Sequence, residues 1–141
     1  MADPADLIGG LVALLAADAS IAALVAARVF GGELPAEEAE HMPRKALIVP
    51  PAGGISLTGG SYVEHDTSRV DLFGYGATQR EANRVVDTAA IVMRRIQRSI
   101  SAGVLIHWAQ PAGGAMAGRD PTLGWPPAFQ SFQVFHALEE V

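Results

Sequence analysis

The sequence predicts an α+β domain: a largely antiparallel β-sheet with a long amphipathic helix and the N-terminal helices packed on one face. Three observations predict it. Between Asp66 and Ile100 the hydrophobic period changes from that of a strand to that of a helix, so a strand feeds directly into a helix. The signals follow the order helix, helix, strands, long helix, strands, without the repeated βα units of a doubly wound fold. The 141 residues fit a single domain, 1–141, able to bury about two-thirds of its unfolded surface.

In chain order, Asp3-Pro4-Ala5-Asp6 reads as a helix start, with Asp3 as cap, Pro4 at the first helical position and Asp6 facing the positive end of the dipole. The helix continues through Leu7, Ile8, Leu11, Val12, Leu14 and Leu15. Gly9 and Gly10 each weaken it by up to ~1 kcal/mol relative to alanine, so a close helix or backbone neighbour is expected there. A short second helix starts at Asp18-Ala19-Ser20, shows Ile21, Leu24 and Val25 on its apolar face, and ends near Ala27. A turn leads into Arg28-Val29-Phe30, and Gly31 to Pro43 reads as an exposed connection rich in glycine, proline and glutamate. Ala46-Leu47-Ile48-Val49 is too short and β-branched for a helix, so it is a strand, which Pro50-Pro51 ends.

Ala52 to Gly60 is glycine-rich, a flexible loop or hairpin arm around Ile55-Ser56-Leu57. Ser61 to His65 begins the strand that runs through Val70 to Tyr75, with a bend or bulge expected near Asp66. On that strand Val70 and Leu72 share one face, and Arg69, Asp71, Phe73 and Tyr75 the other. Thr78 and Glu81 then have the T-x-x-E spacing of a capping box. Ala82, Val85, Val86, Ala89, Ala90, Met93, Ile96 and Ile100 mark one face of a helix of about five turns. Gly103 is expected to stop it, and Val104 to Trp108 to form a strand. Pro111 to Pro127 carries four glycines and four prolines, a loop long enough to suggest a functional segment. Phe129 to Phe135 alternates as a closing strand.

With no cysteine, disulfides and thiolate metal sites are excluded. A net charge of −5 does not favour a polyanion partner. Asp3, Asp6 and Asp18 interrupt the first apolar run, so no signal peptide or membrane span is expected there and the protein is expected to be soluble and unexported. No serine lies in G-x-S-x-G, and His65-Asp66 beside Ser68 is a set of strand neighbours rather than a relay. His41, His65, His107 and His136 lack zinc-ligand spacing. The pairs Gly53-Gly54, Gly59-Gly60 and Gly113-Gly114 lack the flanking residues of a phosphate loop. We therefore expect no catalytic, cofactor or metal site.

On the long helix Arg80, Arg84, Arg94, Arg95 and Arg98 fall opposite the valines, mixed with Asp87. A solvated face explains most of them, and the last three complement the negative helix end. Ile91 falls among them, at about 180° from Ala82 by the 100° helical step. Arg84, Ile91 and Arg95 are accordingly candidates for a subunit interface.

Ala17 to Val25 followed by Arg28-Val29-Phe30, the Ala46–Val49 strand, and Ser68 to Leu72 leading into Thr78-x-x-Glu81-Ala82 resemble the tail-terminator, or tail-completion, proteins of long-tailed bacteriophages and phage-derived particles. Gly118-Arg119-Asp120-Pro121, Gly124-Trp125 and the strand from Phe129 to His136 extend the resemblance over most of the chain. Ala52 to Gly60 and Pro126-Pro127 depart from the family pattern. The resemblance implies a ring, typically a hexamer, that caps the tail tube, ends its growth and meets the head-closure or connector protein. It implies a place in the tail neck of a virion assembled in the host cytoplasm, with DNA passing through the bore unbound. Ile55, Leu57, Arg119, Asp120 and Trp125 are the candidate partner contacts in the loops. Rival readings are another neck ring component, a tail tube subunit, or a small-molecule-binding module or enzyme, the last requiring a deep apolar pocket with convergent polar groups.

Overall fold

Three side-chain caps start the longer helices, and they fix where the chain turns. The computed structural model describes residues 4–42, 44–53, 65–113, 116–117 and 127–140. Helix α1 (Leu7–Ala16) is capped by Asp6, whose Oδ1 accepts from Gly9 N–H at 3.0 Å. The cap thus lies later than the Asp3-Pro4 start read from the sequence. Pro4 instead bridges Glu139, and Ala5 N–H donates to Leu138 O at 2.9 Å, which holds the chain extended up to Asp6; Asp3 lies outside the described residues. Helix α2 (Ala19–Val25) has the expected cap, Asp18 Oδ1 accepting from Ser20 N–H and Ile21 N–H. It closes before Ala27, because Ala26 leaves the helix at φ 54°.

Strand β1 (Val29–Gly31) is followed by a short helix α3 (Ala36–Ala39) inside the segment expected to be plain connection. Arg44 clamps it, donating from Nε and a terminal nitrogen to the two Glu38 oxygens at 2.6 and 2.8 Å. Strand β2 (Ala46–Val49) is buried at every residue. Pro50 does not end the sheet: β3 (Pro51–Gly53) continues along β4 (His65–Tyr75), with a register shift between Pro51 and Gly53. No bend interrupts β4 at Asp66, since its ladder with β8 (Pro127–Ala137) is in register from His65–Ala137 to Tyr75–Pro127.

Helix α4 (Gln79–Arg94) carries the complete capping box, Thr78 Oγ1 accepting from Glu81 N–H at 3.2 Å and Glu81 Oε2 from Thr78 N–H at 3.1 Å. It ends a turn and a half earlier than the periodicity suggests, a length set by the 3.6-residue turn. Arg98 takes φ 39°, and Ile100 leaves the helix to join β5 (Ser99–Ser101), which pairs with β6 (Val104–Pro111). Gly103 accordingly serves the two-residue hairpin turn, with Ala102 at φ 48° and Gly103 at φ 82°, the left-handed pair such a turn needs. A two-residue strand, β7 (Met116–Ala117), pairs with β8 within the segment read as a long loop.

The sheet order is β1-β2-β4-β8-β6-β5, with β3 on β4 and β7 on β8, and only the β1–β2 pair is parallel. Helices α1, α2 and α4 cover one face, an α+β arrangement. Val70 and Leu72 of β4, Phe132 and Val134 of β8, and Val104 and Ile106 of β6 meet Leu11, Leu15, Val85, Ala89 and Met93 there. The close neighbour expected at Gly10 is the β5–β6 hairpin: a Cβ at Gly10 would stand 3.0 Å from Ser101 O and Val104 Cβ, and Ser101 Oγ donates to Gly10 O at 2.7 Å.

Candidate functional site

The inner side of α4 buries Ala82, Val85, Val86, Ala89, Ala90 and Met93. Arg84, Ile91 and Arg95 therefore emerge on the outer side, and all three are exposed, Ile91 to 50%. Neither arginine has an ion-pair partner among the described residues. Beside Arg95 lies an open groove of about 350 Å³ with Leu14, Val92 and Ile96 in its floor and Asp18 on its wall. Sequence periodicity missed this groove because it assigned Ile96 and Ile100 to one helix. Ile96 is buried, whereas Ile100 on β5 is 66% exposed.

The face of the sheet away from the helices carries two aromatic clusters. Phe73 and Phe129, cross-strand partners, stack with centroids 5.4 Å apart. A shallow cleft of about 250 Å³ lies beside them, lined by Leu34, Ile48, Phe73 and Tyr75 among others. At the other end Phe135 packs against His107 and Trp108, at centroid distances of 4.9 and 5.6 Å. Between the clusters Ser131 donates to Asp71 Oδ1 and accepts from Arg69 at 3.0 Å, so the centre of this face is polar and internally satisfied.

His107 Nε2 and His65 Nδ1 are 3.2 Å apart, one ring donating and the other accepting. Burial holds His107 below the ordinary histidine range, and the charges of His65, Arg98 and His136 push it the same way.

The arrangement closest to enzyme chemistry is a pair the sequence argument did not assemble. Ser68 Oγ lies 2.8 Å from His136 Nε2, and His136 Nδ1 lies 2.9 Å from Ala137 O. A carbonyl only accepts, so Nδ1 carries the proton and Nε2 accepts from the serine hydroxyl. The objection that strand neighbours face apart applies to His65 and Asp66; Asp66 and Ser68 share a face, and the cross-strand register brings His136 to it. Only register, which a single strand does not encode, reveals the pair. The histidine is oriented by a main-chain carbonyl rather than a carboxylate, His136 is buried, and neither cleft described above includes it. Its chemistry is that of a satisfied core hydrogen bond. Among the described residues no group of three or more metal-ligating side chains converges.

Ile55, Leu57, Arg119, Asp120 and Trp125, the loop candidates, lie outside the described residues.

Neither a protein-family model nor a curated protein matches the sequence. Among solved structures the chain is similar to a chain of the "Virion of native gene transfer agent (GTA) particle", with TM-score 0.68 and 15% identity over 93% of this chain and 94% of that one. The shared class is thus an α+β fold spanning nearly the full length of both chains. At that identity the likeness is one of fold.

Proposed function

We propose that the chain is a structural protein of a phage-like particle, and within it the tail terminator: a ring, a hexamer, that caps the tail tube, ends its polymerisation and joins the tail to the head-closure or connector protein. The observation that carries this reading is the nearly complete overlap in fold with a chain of a gene transfer agent virion, with no large unmatched segment on either side. The sequence resemblance to tail terminators, made on motifs spread along the chain, supports the finer role. So does the surface: exposed Arg84, Ile91 and Arg95 on α4 offer a subunit contact, while the described clefts are shallow and open. A structural rather than catalytic role follows, in the tail neck of a virion assembled in the bacterial cytoplasm. The net charge of −5 suits a bore through which DNA slides without adhering, because acidic walls repel phosphates.

Two measurements test the reading. Electron microscopy of the purified protein is expected to show closed rings; tubes that grow without limit would make it a tube subunit. Particles made without the protein are expected to have tails of uncontrolled length unattached to heads. Normal tails joined to heads would refute it.

A further inference from the structure

We infer that the basic C-terminal end of α4, with the groove beside it, receives the acidic 33–40 segment of a neighbouring copy of the same chain. This deepens the ring reading and rests on it.

Arg94, Arg95 and Arg98 are exposed within five residues and have no ion-pair partner among the described residues. The groove at their base has an apolar floor of Leu14, Val92 and Ile96, and exposed Ile91 precedes Val92 on the same helix. The acid on the groove wall, Asp18, is already engaged: its Oδ1 accepts the N–H groups of Ser20 and Ile21. An occupant with acidic side chains and a small apolar element suits this combination, because the arginines supply charge and the floor supplies apolar burial.

The 33–40 segment is such an element; Leu138-Glu139-Glu140 is exposed and acidic too, but it carries two acids rather than four and its backbone is held by Pro4 and Ala5. Glu33, Glu37 and Glu40 are exposed and unpaired among the described residues, and of the four glutamates in 33–40 only Glu38 is engaged, by Arg44. Leu34 and Pro35 lie between them, both only half-buried. The first surface sets three arginines beside one acid, Asp18, and the second four glutamates beside Arg28 and Arg44, so the net charges are opposite.

The two surfaces lie on the end strands of the sheet order. The acidic segment is the crossover from β1 to β2, at one edge of the sheet. The arginines lead into β5, at the opposite edge. Helix α1 touches both end strands, Gly10 against Ser101 of β5 and Ile8 and Val12 against Gly31 of β1, yet among the described residues no ion pair joins these arginines to these glutamates within the chain, which leaves the pairing to a second copy. A contact between different patches of identical chains is head-to-tail, and such contacts close into a ring when the rotation permits.

Charge reversal tests this directly. Two double variants are made, Arg94→Glu with Arg95→Glu, and Glu37→Lys with Glu40→Lys, and circular dichroism checks that each is folded. Sedimentation velocity and negative-stain microscopy at low salt then read assembly. The wild type is expected to form rings, each variant alone to associate about tenfold or more weakly because like charges now oppose, and an equimolar mixture of the two to recover rings of alternating subunits. A wild type that rings while either folded variant rings equally well, or a mixture that stays dissociated, overturns this docking and leaves the ring reading standing. Arginine reversal that abolishes binding to a duplex DNA probe without touching ring formation overturns it in favour of a nucleic-acid surface. A wild type that remains monomeric at every accessible concentration sinks both.

Discussion

His107 shows how a single residue couples the aromatic end of the open sheet face to pH. Its ring contacts His65 and Phe135, it is half-buried, and Arg98 approaches from the segment after α4 through Arg98 N–H donating to His107 O at 2.9 Å. Burial and the neighbouring positive groups favour the neutral ring, so its folded pKa lies below the 6.5 of the free side chain. Between those two values the unfolded chain binds the extra proton, and stability must fall as pH drops below 6.5, levelling off below the folded value. His107→Gln removes that component. Chemical denaturation at about pH 7.5 and about pH 5 is expected to show a smaller acid loss in the variant than in the wild type; equal losses would mean that His107 is not responsible. The same scale shows what a sequence hides. The Ser68–His136 hydrogen bond joins residues 68 positions apart, and no spacing rule relates them.

Among the elements, those dictated by neighbours in the chain were legible, and those dictated by distant pairing were not. The turn from β4 into α4 is local: the period changes, Thr78 and Glu81 close the capping box, and Val85, Val86, Ala89 and Met93 take the buried face. The far end of α4 is non-local. Ile96 and Ile100 both hold helical spacing, yet Ser99–Ser101 gains a ladder with Val104–Ile106 that a helix would forfeit, and Arg98 turns the chain to reach it. The parallel pairing of β1 with β2, the continuation of β3 after Pro50 and the tie of Pro4 to Glu139 are likewise settled by partners remote in sequence. The exposure of Arg84, Ile91 and Arg95 was legible for the same reason, since it follows from helix geometry alone, whereas the groove needs α1, the Asp18 cap and β5 in place. The capping box permits a calibrated test. Thr78→Ala leaves Glu81 N–H without its side-chain acceptor and is expected to cost about 1 kcal/mol of stability; a loss below ~0.3 kcal/mol in urea titration would show that solvent replaces the cap.

For the whole molecule the question is whether a fold that is complete as a monomer is also built to lose surface to a neighbour, and Ile91 separates the two. In the monomer its side chain is 50% exposed, outside the core, so little apolar burial depends on it. Aspartate is a poorer helix residue than isoleucine by a few tenths of a kcal/mol. At position 91, however, it would stand three and four residues before Arg94 and Arg95, where opposite charges recover a similar amount. Ile91→Asp is therefore expected to leave monomer stability within about 0.5 kcal/mol of wild type. Assembly responds differently. Apolar area that a neighbour would cover is replaced by a carboxylate that must be desolvated, beside arginines assigned to the neighbour's glutamates, so the added charge both costs burial and competes for the same cations. An unchanged thermal melt of the dilute protein, together with loss of rings by sedimentation and microscopy, is the expected outcome. Rings of wild-type stability in the variant would remove Ile91, and with it the outer face of α4, from the subunit interface.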